Sequence, residues 1–480
     1  MPDLGPGLGP DLGGTQTKSA ADGKSLNFNI QLLYTPAVTN PDRLLLAPSW
    51  IAPVAPSNAV LTEHAIVIDG TKIAEVCPLD EARARHPGIA ELALPGHLIT
   101  PGLVNLHTHA AMSLMRGLGD DLPLARWLEE CIWPAEARLA GADFVADGAL
   151  LAAHEMLRGG VTTFNDMYFF PEATASAARA LGMRAALGLI VIGFPTAYAS
   201  SPGEYLRKGL ELRDSCAGEP LLSFCLAPHA PYTVDDETLK RVAVLADELD
   251  LPVHIHIHET AGEVERSLAQ HGMRPLARLD RAGLVTPHLI GVHAVHLDDE
   301  EIALLAGRGA AVAHCPHSNL KLASGIAPVA RLLEAGVTVG IGTDSSASNN
   351  RLDLLGEART AALLAKGASG RAEVWPAPAV LRALTLDGAK ALGLDASIGS
   401  IEPGKQADLV AFDFGASELQ PVYDPLSQLI YAAGREHVAE VWIAGQHVVK
   451  MRQLGSADAV RAVREVVARV PVWQNRVVSA

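Results

Sequence analysis

His107-Thr108-His109 closes an apolar run, Pro101-Gly102-Leu103-Val104-Asn105-Leu106. Side chains two residues apart on a strand share a face and sit about 6.5 Å apart along it. Two imidazoles so placed are able to grip one metal ion, although two histidines hydrogen-bonded in a loop read the same in sequence. His254-Ile255-His256-Ile257-His258-Glu259 is richer. One strand end rarely gives three ligands to one metal. His254, deepest on the strand, reads as a core histidine, and His256 lies at the depth of a ligand. Glu259 falls just past the strand, where a carboxylate beside a metal-activated water moves protons during hydrolysis. Gly342-Thr343-Asp344 ends another apolar run. Its aspartate is able to bind the metal and take a proton, or to cap the next helix. The histidines on other strands favour the ligand. His229 and His293 end two further runs.

Other histidines carry less. His154-Glu155 lacks the second histidine of a metalloprotease helix, because Arg158 stands there, and reads as helix surface. His314-Cys315-Pro316-His317 has no partners at zinc-finger spacing and is expected to shape the mouth of the site. His271, His288, His437 and His447 read as structural.

These groups must be brought together by the elements that carry them. Eight short Val/Ile/Leu-rich runs alternate with helical stretches from about residue 98, among them GVTTFNDM, MRAALGLIVI, LLSFCLAPH and HLIGVHAVH. Helices are expected over Asp235–Glu248 and Asp298–Ala306. Strand feeding helix eight times is the pattern of a (β/α)8 TIM-type barrel, whose active sites gather at the C-terminal ends of the strands. A doubly wound sheet is disfavoured, since no GxGxxG or P-loop follows any strand. Before and after these runs the pattern is purely β. It includes an Asp69-Gly70 hairpin turn and the segments IGSIEPGKQADLVAFDF and VAEVWIAGQHVVK. The expected architecture is therefore α/β, with the barrel inserted in a small β-sandwich formed by both flanks. Residues 1–40 read as a disordered extension, 41–98 and 401–455 as the sandwich, 99–400 as the barrel, and 456–480 as a helix and tail, the helix over Asp458–Arg469.

Composition agrees with a large globular chain of 480 residues, 49% hydrophobic and 19% charged. A net charge of −16 disfavours nucleic acid and anionic membranes as partners. No signal peptide or membrane span is visible. Five scattered cysteines suit a reducing cytoplasm. The sequence leaves a homo-oligomer open.

Together, PGLVNLHTH, the HIHE of His256 to Glu259, the His293 strand, GTDSSASNN and SIEPGKQADLV resemble the amidohydrolase superfamily. HAAMSLMRGLGDDLPL, WPAE, DMYFFPE, PHAPYT and SNLKLASGIAPV are similar to its 5′-methylthioadenosine/S-adenosylhomocysteine deaminase branch. The resemblance spans about Leu44 to Val449. It implies one divalent metal ion, usually Zn2+, held by His107, His109, His256 and Asp344. It implies that Glu259 protonates the purine ring, that His293 hydrogen-bonds the attacking water, and that His229 and Glu136 contact a small-molecule nucleoside, Glu136 through the ribose. The implied reaction is hydrolytic deamination of 5′-methylthioadenosine, S-adenosylhomocysteine or adenosine. The fourth strand run ends without the lysine that bridges two metals in other members. One departure stands out. The arginine that some members carry soon after the third strand is missing from LGLIVIGFPTAYASSP, and the next is Arg207. This keeps other substrates in view on the same site: a guanine-like base, a pterin or a triazine. A metal-free scaffold on the same barrel is the remaining alternative.

Overall fold

The computed structural model describes residues 43–478. The expected disordered extension lies outside the described residues.

Both flanks build one mixed sheet. Its strands are β1 (Arg43–Ile51), β2 (His64–Asp69), β3 (Lys72–Pro78), β4 (Ala90–Pro101), β13 (Leu409–Asp413), β14 (Val438–Ile443), β15 (Gln446–Lys450) and β16 (Gln453–Leu454), in the order β16-β15-β14-β13-β4-β1-β2-β3. β2 and β3 form the hairpin expected at Asp69-Gly70, with Gly70 at φ 58°. The sheet curls so that the β2–β3 turn meets the turn between β14 and β15. At the turn between β14 and β15, a Cβ on Gly445 would lie 2.1 Å from the Gly70 carbonyl oxygen, so only glycine fits there. The curl lets Ile66, Ile73, Ile99, Leu409 and Trp442 pack as one buried cluster.

β4 runs directly into the barrel. All eight expected runs form strands: β5 (Leu103–Thr108), β6 (Val161–Tyr168), β7 (Arg184–Val191), β8 (Leu222–Pro228), β9 (Val253–Ile257), β10 (Leu289–His293), β11 (Ala311–His314) and β12 (Thr338–Ile341). They pair in sequence order, all parallel. Such strands are buried on both faces, which is why they read as continuous apolar runs. β12 returns to β5, and the Asp344 N–H donates to the His107 carbonyl at 3.0 Å. Gly340 permits this approach, since a Cβ there would meet Leu106 Cδ2 at 2.6 Å. The two expected helices form as Asp236–Leu249 and Asp299–Arg308, capped by the side chains of Asp235 and Asp298.

A buried ion pair ties barrel to flank. Arg184 Nε donates to Asp408 Oδ2 at 2.9 Å, and Asp408 Oδ1 accepts the Ala444 N–H at 2.7 Å. Removing either charge would strand the other, at about 3–5 kcal/mol.

Two readings need correction. Glu155 is not helix surface: it accepts from Arg116, Arg435 and the Leu352 N–H, and so joins three segments. The C-terminal helix runs from Ala457 to Val478, straight through Pro471. Beyond the proline, Trp473 is buried and donates to Asp147 Oδ2 at 2.8 Å, beside Arg469 on the same carboxylate. This anchorage outweighs the proline's lost hydrogen bond. Among the described residues, no helix is long and apolar enough to cross a membrane.

Candidate active site

The polar strand ends converge. His107 Nε2 lies 3.2 Å and His109 Nε2 3.3 Å from Asp344 Oδ1, and His256 Nε2 lies 3.3 Å from His107 Nε2. The opposite face of each ring is already engaged. His109 Nδ1 donates to the Met167 carbonyl at 2.6 Å, and His256 Nδ1 donates to the His229 carbonyl at 2.7 Å. His107 Nδ1 meets Nε2 of His254 at 2.8 Å. With the Nδ1 protons directed outward, the Nε2 lone pairs face one another and a carboxylate. Lone pairs this close repel unless a cation lies among them, so this donor set fits a single divalent metal. His254 is fully buried and touches His107, the core role read for it.

The electrostatics agree. Burial pushes His107 down to about 4, against the raising effect of Asp344. Burial also holds His256 well below its ordinary value. For Asp344, burial opposes ionisation, but His107, His109 and His293 keep its carboxyl well below the usual range. All these groups are therefore in metal-binding form at neutral pH. Asp344 is held by Ser318 Oγ and Ser348 Oγ, which donate to Oδ2 at 2.6 and 2.9 Å, and by the Ser345 N–H on Oδ1. Asp344 and His293 sit at φ 58° and 71°, left-handed values that non-glycine residues hold only where surrounding contacts enforce them.

Glu259 and His293 face the same centre, with His293 Nε2 3.8 Å from Glu259 Oε2. Burial raises the Glu259 carboxyl, and the Asp344 charge adds to this. His293 Nδ1 donates to Asn319 Oδ1 at 2.9 Å, which leaves Nε2 bare toward the site. His229 shares a hydrogen bond with Thr233 Oγ1 at 3.0 Å, and burial lowers it to about 3, so it is neutral. His229 and Glu136 line the same cavity of about 640 Å³ as His109, His256, Glu259, His293 and Asp344. The structure thus brings all eight sequence-selected residues to one place.

Sequence reasoning missed several neighbours. Tyr168 lines the cavity with a buried hydroxyl beside the Glu136 carboxylate. Ser318 and Asn319 follow His314-Cys315-Pro316-His317 on a short helix, Pro316–Lys321. That stretch shapes the mouth through them, while His317 itself pairs with Glu357 at 2.6 Å. Arg207 points away, bound to Glu211 at 2.8 Å, and does not line the cavity.

Glu263 supports Glu259 from below. Its carboxylate accepts the His258 and Glu259 N–H groups at 3.1 and 2.8 Å. Burial pushes Glu263 up from 4.5 to about 7. Between those values the folded chain keeps a proton that the unfolded chain has lost. Its contribution to stability is therefore full below about pH 4.5 and is lost as pH rises through 7. Relative to the parent, Glu263→Gln should gain thermal stability as pH is raised from 5 to 8. A melting-temperature difference that stays constant across that range would refute this.

A profile of the amidohydrolase family matches residues 98–448. The chain belongs to this family: metal-dependent hydrolases on a (β/α)8 barrel. Among its relatives, a protein of Teredinibacter turnerae called 5-methylthioadenosine/S-adenosylhomocysteine deaminase is 47% identical over 90% of this chain and 97% of its own. A 5'-deoxyadenosine deaminase of Methanothermobacter thermautotrophicus is 42% identical over 81% and 90%. The crystal structure of an adenosine deaminase from Xanthomonas campestris, with bound zinc, superposes with a TM-score of 0.88 at 50% identity, covering 91% of this chain and 99% of that one.

Proposed function

We propose that this chain is a zinc-dependent aminohydrolase that converts adenine nucleosides, among them 5′-methylthioadenosine, S-adenosylhomocysteine and adenosine, into their inosine analogues plus ammonia. The observation that carries this reading is a buried Glu259, its carboxyl raised by burial, facing the same point as three imidazole Nε2 atoms and Asp344. It is supported by relatives named for this chemistry.

Zinc held by His107, His109, His256 and Asp344 would supply Lewis acidity that makes hydroxide available near neutral pH. The chain's residues do the rest. Oxygen from water replaces the amine on C6 of the adenine, and the amine leaves as ammonia. Asp344 accepts the proton released by the water. Glu259 delivers a proton to the ring nitrogen beside C6, the proton held by Asp344 passes to the departing amine, and the new hydroxyl on C6 gives its proton back to Glu259 as the carbonyl forms. His293 Nε2 accepts a hydrogen bond that orients the water. His229 meets the base, while Glu136 and the Tyr168 hydroxyl beside it offer partners for the ribose hydroxyls. Because Asn319 fixes which nitrogen of His293 faces the site, Asn319→Ala should lower kcat roughly 10-fold and leave the metal content intact. Steady-state rates alongside metal analysis check this, and an unchanged kcat would refute it.

Five unpaired cysteines lead us to place the enzyme in the reducing cytoplasm. The chain may be tested directly: the zinc-loaded protein is mixed with adenosine, 5′-deoxyadenosine and 5′-methylthioadenosine, and ammonia is measured. Release from these nucleosides is expected. No ammonia from any of them, with turnover of a free base or triazine instead, would overturn the reading.

A further inference from the structure

The part of the cavity wall built after β7 is chemically unlike the part that holds the metal ligands. Ile190, Ile192, Phe194 and Tyr198 come from the end of β7 and its loop, Phe170 from the loop after β6, and Trp133 from the segment that covers the mouth. Among the described residues, no arginine or lysine lines the cavity. The one hydroxyl that Thr196 adds to this wall is already engaged. Thr196 Oγ1 lies 2.6 Å from the Tyr205 hydroxyl and accepts the Tyr198 N–H at 3.1 Å. The Tyr205 hydroxyl reaches the Phe194 carbonyl at 3.3 Å. The nearest cations already have partners, Lys208 with its Nζ 5.2 Å from the centre of the Tyr198 ring. Lys208 donates to the Tyr198 carbonyl at 2.5 Å and pairs with Glu204 at 3.1 Å, while Arg207 pairs with Glu211. The rings of Phe170 and Tyr198 meet edge to face, with centroids 5.2 Å apart.

An adenine nucleoside whose base reaches Glu259 and whose ribose reaches Glu136 has one remaining variable end, its 5′ substituent. Resting on the deaminase reading, we propose that this wall is an apolar subsite for that substituent, selecting uncharged methylthio or methyl groups over the zwitterionic amino-acid tail of S-adenosylhomocysteine. A methylthio group gains by leaving water for an apolar surface. A carboxylate brought to the same wall loses hydration and finds no cation to replace it. Losing a charged partner in this way lowers relative kcat/KM by about 100-fold.

The test compares kcat/KM for 5′-methylthioadenosine, 5′-deoxyadenosine, adenosine and S-adenosylhomocysteine on the zinc-loaded protein. The expected result is a 5′-methylthioadenosine value about 100-fold above that of S-adenosylhomocysteine, with 5′-deoxyadenosine retained as a good substrate. Phe194 is 42% exposed at the rim, so Phe194→Arg places a cation there without burying it. That variant should narrow the ratio at least about tenfold. If the parent turns over both nucleosides within threefold of each other, the subsite is refuted while the deaminase reading stands. An unchanged ratio in a folded Phe194→Arg variant also counts against it. Inactivity on all four nucleosides would instead sink the function on which the subsite rests.

Discussion

Glu259→Gln should yield a folded, zinc-binding protein whose kcat is lower by about 10³–10⁴-fold. The amide matches the carboxyl in size, and Ser324 Oγ, 3.4 Å from Oε1, retains an oxygen to donate to. The backbone at Glu259 stays anchored by Glu263. What is lost is a group able to give and recover a proton. Burial and the Asp344 charge both raise the Glu259 carboxyl, which moves its proton affinity toward neutral pH, where transfer to a ring nitrogen is most effective. Glutamine offers an N–H that cannot leave. Since Glu259 is not part of the His107, His109, His256 and Asp344 set, metal content should stay at parent level. A variant that retains kcat within tenfold of the parent, or that loses its metal, would refute this division of roles.

Stripping the metal with a chelator should abolish turnover, by roughly 10⁴-fold or more, with zinc restoring it. The ligand geometry gives the reason. Three Nε2 lone pairs and Asp344 Oδ1 crowd one point, with their outward hydrogen bonds fixed by Met167, His229 and His254. The rings cannot turn away without breaking those bonds. The chelated protein should therefore also melt at a lower temperature, because metal binding stabilises only the folded chain. Asp344→Asn should mimic chelation, since it keeps the shape but removes the charge that faces the imidazoles. Activity assays, metal analysis and thermal melts on parent, chelated, re-zincated and Asp344→Asn protein check this together. Full activity in chelated protein that metal analysis shows to be empty would disprove the metal's role.

Much of this site was legible in the sequence for a simple reason. A barrel strand is buried on both faces, so it must be apolar until it reaches the mouth. A histidine or aspartate at the end of such a run therefore stands out, as His107, His229, His256, His293 and Asp344 do. Glu136 was different. It lies outside the strands on the helix Trp133–Leu139, and only the WPAE resemblance pointed to it. Glu155 misled because a lone carboxylate on a helix reads as solvated, whereas Arg116 and Arg435 reach it from distant segments. The C-terminal helix outruns its expected end at Arg469 because the burial of Trp473 against Asp147 has no local signature.

The sequence by itself determined the eight strands, the candidate ligands and the type of chemistry, because the two-residue period and chemical identity are local properties. The tertiary structure decided how those residues act. Barrel closure set Asp344 against His107, and the pairing of β8 with β9 brings the His229 carbonyl to His256. The short helix after β11 delivered Ser318 and Asn319, and the loop after β7 brought Phe194 and Tyr198 to the cavity. Each of these joins residues far apart in the chain, so only the packed barrel specifies which nitrogen faces the metal and which surface faces the substrate.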